Sequence, residues 1–226
     1  MDPLDNIMWH SLKGPHLHLA QGGERARRYP SEVGPFGAVP DEPGPENFEA
    51  LRELVGPGGV ALLFRGDVTV PAAWEVLGTI DGVQMFWPSG PPSRDADPRI
   101  VTLGEEDVAE MMSLTARTKP GPFALRTITL GTYLGVRVDG QLIAMAGQRA
   151  RTDGHVEISA VCTDERHVGQ GLSRALMHAQ IRIILDEDKI PMLHTSANNA
   201  RAIALYEYLG FEHRRNVSGA MMRSPS

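Results

Sequence analysis

Glu157 lies in an alternating run, V-E-I-S-A-V-C-T at positions 156–163, and is the first candidate for chemistry. A carboxylate on a half-buried strand can hold a raised pKa and take a proton as a general base, directly or through water. Strict alternation puts Glu157 on one face with His155, Ser159 and Val161, and Val156, Ile158, Ala160 and Cys162 on an apolar face. Arg149 and Arg151 are close enough in sequence to pair with Glu157 instead. Beyond the run comes a polar turn and then V-G-Q-G-L-S at 168–173, where a helix-patterned segment begins. Backbone N–H groups at a helix start carry partial positive charge. Gly169 and Gly171 allow a phosphate to approach them without a Cβ in the way. Neither a Walker loop nor G-x-G-x-x-G is matched, so nucleotide hydrolysis is not indicated; a CoA pyrophosphate remains a candidate, beside a tight turn that needs glycine for its geometry alone.

Other reactive types read as structural. Cys162 is a small apolar cysteine on the inward strand face. His16 and His18 are two apart, which suits one strand face and a metal, but no third ligand accompanies them, so no metal is expected. His155 and His194 rival Glu157 as bases, and each reads first as a hydrogen-bonded structural histidine.

The elements that position these residues follow from hydrophobic spacing. Strands are expected at 99–103, 132–138, 141–147, 156–162 and 191–195, with Asp139-Gly140 turning a hairpin between the second and third. Helical spacing marks Val108 to Thr115, Leu172 to Ile183, and Ala202 to Leu209 before Gly210. One or two strands follow in 211–223. The order β-α-β-β-β-α-β-α-β is a mixed α/β sandwich rather than a doubly wound sheet. A Pro/Gly-rich stretch at 89–98 divides this part, 99–226, from a smaller N-terminal α+β lobe, 1–88. That lobe has a helix at 46–55 and strands at 59–64 and 83–87.

Composition bounds the reading. The 226 residues carry a net charge of −6, which leaves no broad basic field for nucleic acid. One cysteine excludes an intramolecular disulfide. No apolar run reaches the length of a membrane span, and the acidic N-terminus is not a signal peptide, so a cytoplasmic protein is expected.

E-I-S-A-V-C-T, V-G-Q-G-L-S-R-A-L and T-S-A-N-N-A-R-A-I-A-L-Y-E-Y-L-G-F, in this order and spacing, resemble the GNAT superfamily of acyl-CoA N-acyltransferases over 99–226. The two-part layout is similar to its glycine N-acyltransferase-like branch, whose first half is a degenerate lobe. The resemblance implies a mixed central sheet flanked by helices. It implies acetyl-CoA as co-substrate, a small-molecule amine as acceptor, and room for a homodimer. Glu157 becomes the base and Tyr206 the acid that protonates the leaving thiolate. The main chain of Val161 and Thr163, beside Cys162, would hold the pantetheine arm. Val168, Gly169, Gln170, Gly171, Leu172 and Ser173 would hold the pyrophosphate, and Asn199 would cap the last helix and reach the cofactor. Two positions depart from the family pattern: Val168 replaces its usual arginine, and Ser173 its last small residue. The loop Arg117–Arg126 would shape the acceptor pocket; it reads first as an exposed, solvated basic loop, and its cations would otherwise suit a carboxylate on the acceptor. A protein or peptide N-acetyltransferase and a non-catalytic acyl-CoA-binding module are the alternatives.

Overall fold

In the computed structural model, residues 2–88, 90, 92 and 97–226 are described; positions 89, 91 and 93–96 of the expected linker lie outside them. The strands are β1 (Gln21–Gly22), β2 (Arg27–Arg28), β3 (Phe36–Ala38), β4 (Val60–Arg65), β5 (Glu75–Phe86), β6 (Ile100–Thr102), β7 (Leu134–Val138), β8 (Gln141–Arg151), β9 (His155–Thr163), β10 (Ile190–Ser196) and β11 (Glu212–Arg223). The helices are α1 (Ile7–Lys13), α2 (Pro45–Val55), α3 (Val108–Thr118), α4 (Leu172–Asp186) and α5 (Ala200–Leu209). His16 precedes and His18 lies within a 3-10 turn at Leu17–Leu19, not the strand their spacing allowed. The α/β sandwich expected from the sequence is present, as a mixed sheet flanked by helices.

The eleven strands among the described residues form one sheet in the order β1-β2-β3-β4-β11-β5-β10-β9-β8-β7-β6. The sheet therefore runs across both parts of the chain. β5, from the first part, is hydrogen-bonded on one side to β10 and on the other to β11, antiparallel to both. β11 in turn separates β5 from β4. β5 is much longer than the 83–87 strand the sequence suggests, because Asp81-Gly82 reads as a turn yet continues the ladder. Gly82 belongs there for space: a Cβ would lie 3.1 Å from the Thr195 carbonyl oxygen.

Helices cover both faces. Met145 on β8 packs with Met111 and Leu114 of α3, whereas its neighbours Ala144 and Ala146 face Leu172 and Leu176 of α4. α4 and α5 also cover Val83 and Met85 of β5 and Val156 and Ile158 of β9. α1 packs on Leu62 and Phe64 of β4, together with Ala150 and Met192.

One irregularity shapes the rest. Opposite β8, Cys162 pairs with Met145 and Ser159 with Gly147, so Ala160 and Val161 face the single residue Ala146. This is a β-bulge. Ala160 takes φ +53°, a left-handed conformation that costs an L-residue roughly 1–2 kcal/mol. The extra residue reverses the alternation. Val156 and Ile158 pack with Met177 and Ile181 of α4, but Ala160 and Cys162 pack with Met111 and Leu114 of α3. The apolar face expected to hold all four residues is thus divided between the two sides of the sheet.

β9 and β10 run parallel only as far as Ile158 and Leu193. Past that point β10 stays on β5 to Ser196, while the bulged end of β9 stays on β8 to Thr163. The two strands splay apart and leave a cleft. Because β5 supplies the only hydrogen-bonded neighbour of β10 there among the described residues, we predict that residues 99–226 expressed alone lose the cooperative thermal unfolding of the full chain. A sharp transition in that fragment, measured by circular dichroism, would contradict this.

Candidate active site

Two cavities open into the cleft and meet at Val161, Cys162, Thr163, Asn199, Ala202 and Tyr206, which line both. The first has a volume of about 690 Å³ and lies over the glycine turn. Val168, Gly169, Gln170, Gly171, Leu172 and Ser173 all line it, as their spacing suggested. Gly169 and Gly171 have φ of +88° and +75°, which favours glycine at both positions. Gly171 is the residue before the first turn of α4. The Ser173 hydroxyl lies 3.0 Å from the Thr163 hydroxyl, tying the turn to the end of β9. Asn199 caps α5 by accepting the Ala202 N–H at 3.1 Å.

Two arginines were missed. Arg174 sits in the first turn of α4 and Arg201 in the first turn of α5, and both line this cavity. A cation in the first turn opposes the helix dipole. Neither has an ion pair or hydrogen bond among the described residues. Two helix starts and two such cations give this cavity a positive lining that suits an anion, and an arginine in an otherwise unfavourable helical position was the available signal. Arg166, two residues before Val168, does not line this cavity and pairs with Asp164 at 3.0 Å. Val168 leaves that side of the turn apolar, with its side chain half exposed.

The second cavity, about 460 Å³, lies between the splayed strands and the N-terminal part. Phe36, Leu62, Phe64, Ile80 and Gly82 wall it from the first 88 residues. Lys119, Pro120, Gly121 and Pro122 of the loop after α3 close another side. Arg117 and Arg126 of that loop point elsewhere, to Asp164 and Glu32.

Glu157 does not line either cavity. It is 0% exposed, fully buried rather than half-buried. Arg149 donates from Nε to its Oε2 at 2.9 Å and forms a second bond from NH2 to Oε1. His194 donates from Nδ1 to Oε1 at 2.6 Å. That role for Nδ1 follows from the other ring nitrogen, which accepts from the Gln84 amide at 2.9 Å. Burial alone would raise the carboxyl pKa; the charge of Arg149, with the hydrogen bonds from His194 and Arg149, overcomes it and holds the group at about 2. The raised pKa expected for a base at this position is therefore corrected: the carboxylate is fully ionised, weakly basic and shielded behind Arg149 and His194. Arg151, the other suggested partner, pairs with Glu187.

Tyr206 is buried, and desolvation lifts its phenol to about 12. No described residue makes a hydrogen bond to its hydroxyl. Cys162 is buried, and burial raises its thiol to about 11, which leaves it inert. His16 is held by Ser11 and Tyr29, and burial lowers it to about 4.

A model of the FR47-like protein family matches residues 133–218. Among solved structures, the chain is similar to a protein assigned to the GNAT family of acetyltransferases from Novosphingobium aromaticivorans. The two are 38% identical over 100% of both chains, with a TM-score of 0.91. The chain belongs to the GNAT superfamily. Its fold also resembles a GCN5-related N-acetyltransferase from Kribbella flavida, at 16% identity over 100% of this chain and 97% of that one, TM-score 0.67. A Drosophila protein is similar at 21% identity, covering 84% of this chain and 69% of that one, TM-score 0.59. No curated protein matches. GNAT acetyltransferases use acetyl-CoA. No helix among the described residues is long and apolar enough to cross a membrane.

The Glu157 pair carries a stability prediction. Its folded pKa lies below the ordinary 4.5, so its contribution is complete above that value and is lost as pH falls from 4.5 towards about 2. Glu157→Gln, which leaves Arg149 buried and unpaired, should lower stability by about 3–5 kcal/mol at pH 7. Denaturant titration should show much of the loss recovered in Glu157→Gln/Arg149→Gln, and the single variant should lose the acid-limb slope that the pair supplies.

Proposed function

We propose that this protein transfers an acetyl group from acetyl-CoA to the primary amine of a small molecule. The observation that carries this reading is the pair of cavities meeting at Val161–Thr163, Asn199 and Tyr206. The glycine turn with Arg174 and Arg201 suits a pyrophosphate, and the residues fit the co-substrate. The acceptor cavity, about 460 Å³, falls within the range of small-ligand sites, roughly 300–1,000 Å³, and supports a small molecule over a protein acceptor.

The thioester supplies an activated acetyl group; the protein supplies placement, charge and a proton route. The splayed end of β9 offers main-chain groups of Val161 and Thr163 to the pantetheine arm as an added strand would. The Val161 N–H polarises the acyl carbonyl. The attacking nitrogen must arrive neutral. Lys119 and Arg149 on the cavity wall disfavour an ammonium, and among the described residues no Asp or Glu lines the cavity to stabilise one.

As the C–N bond forms and the C–S bond breaks, nitrogen gives up one proton and sulfur gains one. The reaction consumes no base overall; it needs a route from nitrogen to sulfur. Tyr206 lies on both cavities and stays protonated at working pH, so its hydroxyl donates to the departing sulfur and is reprotonated from the amine side. Glu157 becomes a positioning residue that fixes Arg149 and His194.

Acetyl-CoA at 100 times its Kd should raise Tm by roughly 5–10 °C. No shift with any acyl-CoA would remove the assignment. Arg174→Gln and Arg201→Gln should each weaken acetyl-CoA binding by roughly 10-fold, with a smaller salt dependence than wild type. Tyr206→Phe should lower kcat by about 100-fold with Kd for acetyl-CoA nearly unchanged. Full turnover in that variant would exclude the proton route drawn here. Binding without thiol release against any amine would favour a non-catalytic acyl-CoA-binding module.

A further inference from the structure

The acceptor cavity has a chemistry of its own, contributed largely by residues outside the family motifs. Arg149 is the centre of it. Glu157 takes one hydrogen bond from Nε and one from NH2, which leaves three of the five guanidinium N–H donors without a protein partner among the described residues. The side chain is 13% exposed, and that exposure is to this cavity. The carbon at the centre of the guanidinium lies 5.0 Å from the Phe36 ring centroid and 6.0 Å from that of Phe64. Arg149 is thus fixed on one edge by a carboxylate and on its face by aromatic rings, with its remaining edge unused. That is the arrangement of a pre-oriented fork for a planar oxyanion.

The surrounding charges agree. Glu157 neutralises Arg149, but Lys119 on the same wall has no ion pair among the described residues, and no Asp or Glu lines the cavity there. A polyamine or a lysine side chain with its second cation would meet positive charge. Beside the fork the wall is apolar: Phe36, Leu62, Phe64 and Ile80 from the N-terminal part.

We infer that the acceptor is an amine that also carries a carboxylate and an apolar side chain, an apolar amino acid, with the carboxylate on Arg149 and the side chain on the Phe36–Phe64 wall. This deepens the acetyltransferase reading and rests on it for the amine's fate. It gives the first 88 residues a role in acceptor selection.

The test is a matched panel with saturating acetyl-CoA and free-thiol detection: L-leucine against isoamylamine, L-phenylalanine against phenethylamine, with glycine, L-aspartate and spermidine. The amino acids should exceed their decarboxylated partners in kcat/KM by roughly 10- to 100-fold. Leucine or phenylalanine should also exceed glycine and aspartate. Equal or better rates with the plain amines, while thiol is released, would overturn the inference and leave the acetyltransferase intact. A second readout does not need turnover. N-Acetyl-leucine should raise Tm more than N-isoamylacetamide does, and the difference should vanish in Arg149→Lys and shrink in Lys119→Met. Lys119 is exposed at the end of α3, so its replacement keeps the fold. If acetyl-CoA gives no shift, the acetyltransferase reading falls, and this ligand pair still decides whether the cavity selects a carboxylate. An equal shift from both ligands would overturn it.

Discussion

A carboxylate with no access to water governs this structure. Burying an isolated charge is prohibitively unfavourable, so Glu157 must be surrounded by donors, and each donor is carried by a different strand. Arg149 comes from β8 and His194 from β10. His194 in turn requires Gln84 from β5, which donates on to the Leu4 carbonyl at 2.8 Å and accepts from Arg214 of β11 at 2.6 Å. Five separate segments are thereby held in one register around a single anion. The network lies just where β9 and β10 begin to part, so the mouth of the cleft is fixed by polar contacts rather than by hydrophobic packing alone. Such a set is stabilising only when complete, which is why its members cannot be read as independent contributions.

The bulge at Ala160 completes the arrangement. Without the extra residue, β9 would keep its faces in strict alternation. With it, the strand can bury Val156 and Ile158 under α4 and Cys162 under α3, and still present Val161 and Thr163 to the cleft. The conformational cost at Ala160 is small against this gain, and the surrounding packing keeps it in place.

Much of this was legible in the sequence. Period-3.6 spacing marks α3, α4 and α5 because each buries one stripe. The glycine turn was legible because Gly169 and Gly171 perform a backbone function no other residue does as well. Glu157 was recognisable as an unusual residue in an apolar run, and Arg149 as a candidate partner. Its state was not, since a pKa depends on His194 and on burial that only the folded sheet provides. The reversal of faces at Ala160 left no trace, because an alanine gives no sign of a left-handed backbone. The aromatic wall also escaped: Phe36 and Phe64 meet Arg149 across a separation too long for any local pattern to reveal. Arg174 and Arg201 carried a signal in their unfavourable helical positions, visible once each helix start was fixed.

The strand order also dictates when this molecule can come into being. β11, made after every other described strand, lies between β4 and β5, both formed from the first 88 residues. Until β11 leaves the ribosome, β4 and β5 each hold an unpaired edge, and the sheet exists as two separate pieces. Joining them closes loops of well over a hundred residues, which is slow. The emerging chain therefore depends on staying soluble with open edges until β11 is made, and a chain lacking Glu212–Arg223 would lose the strand that joins the two pieces of sheet.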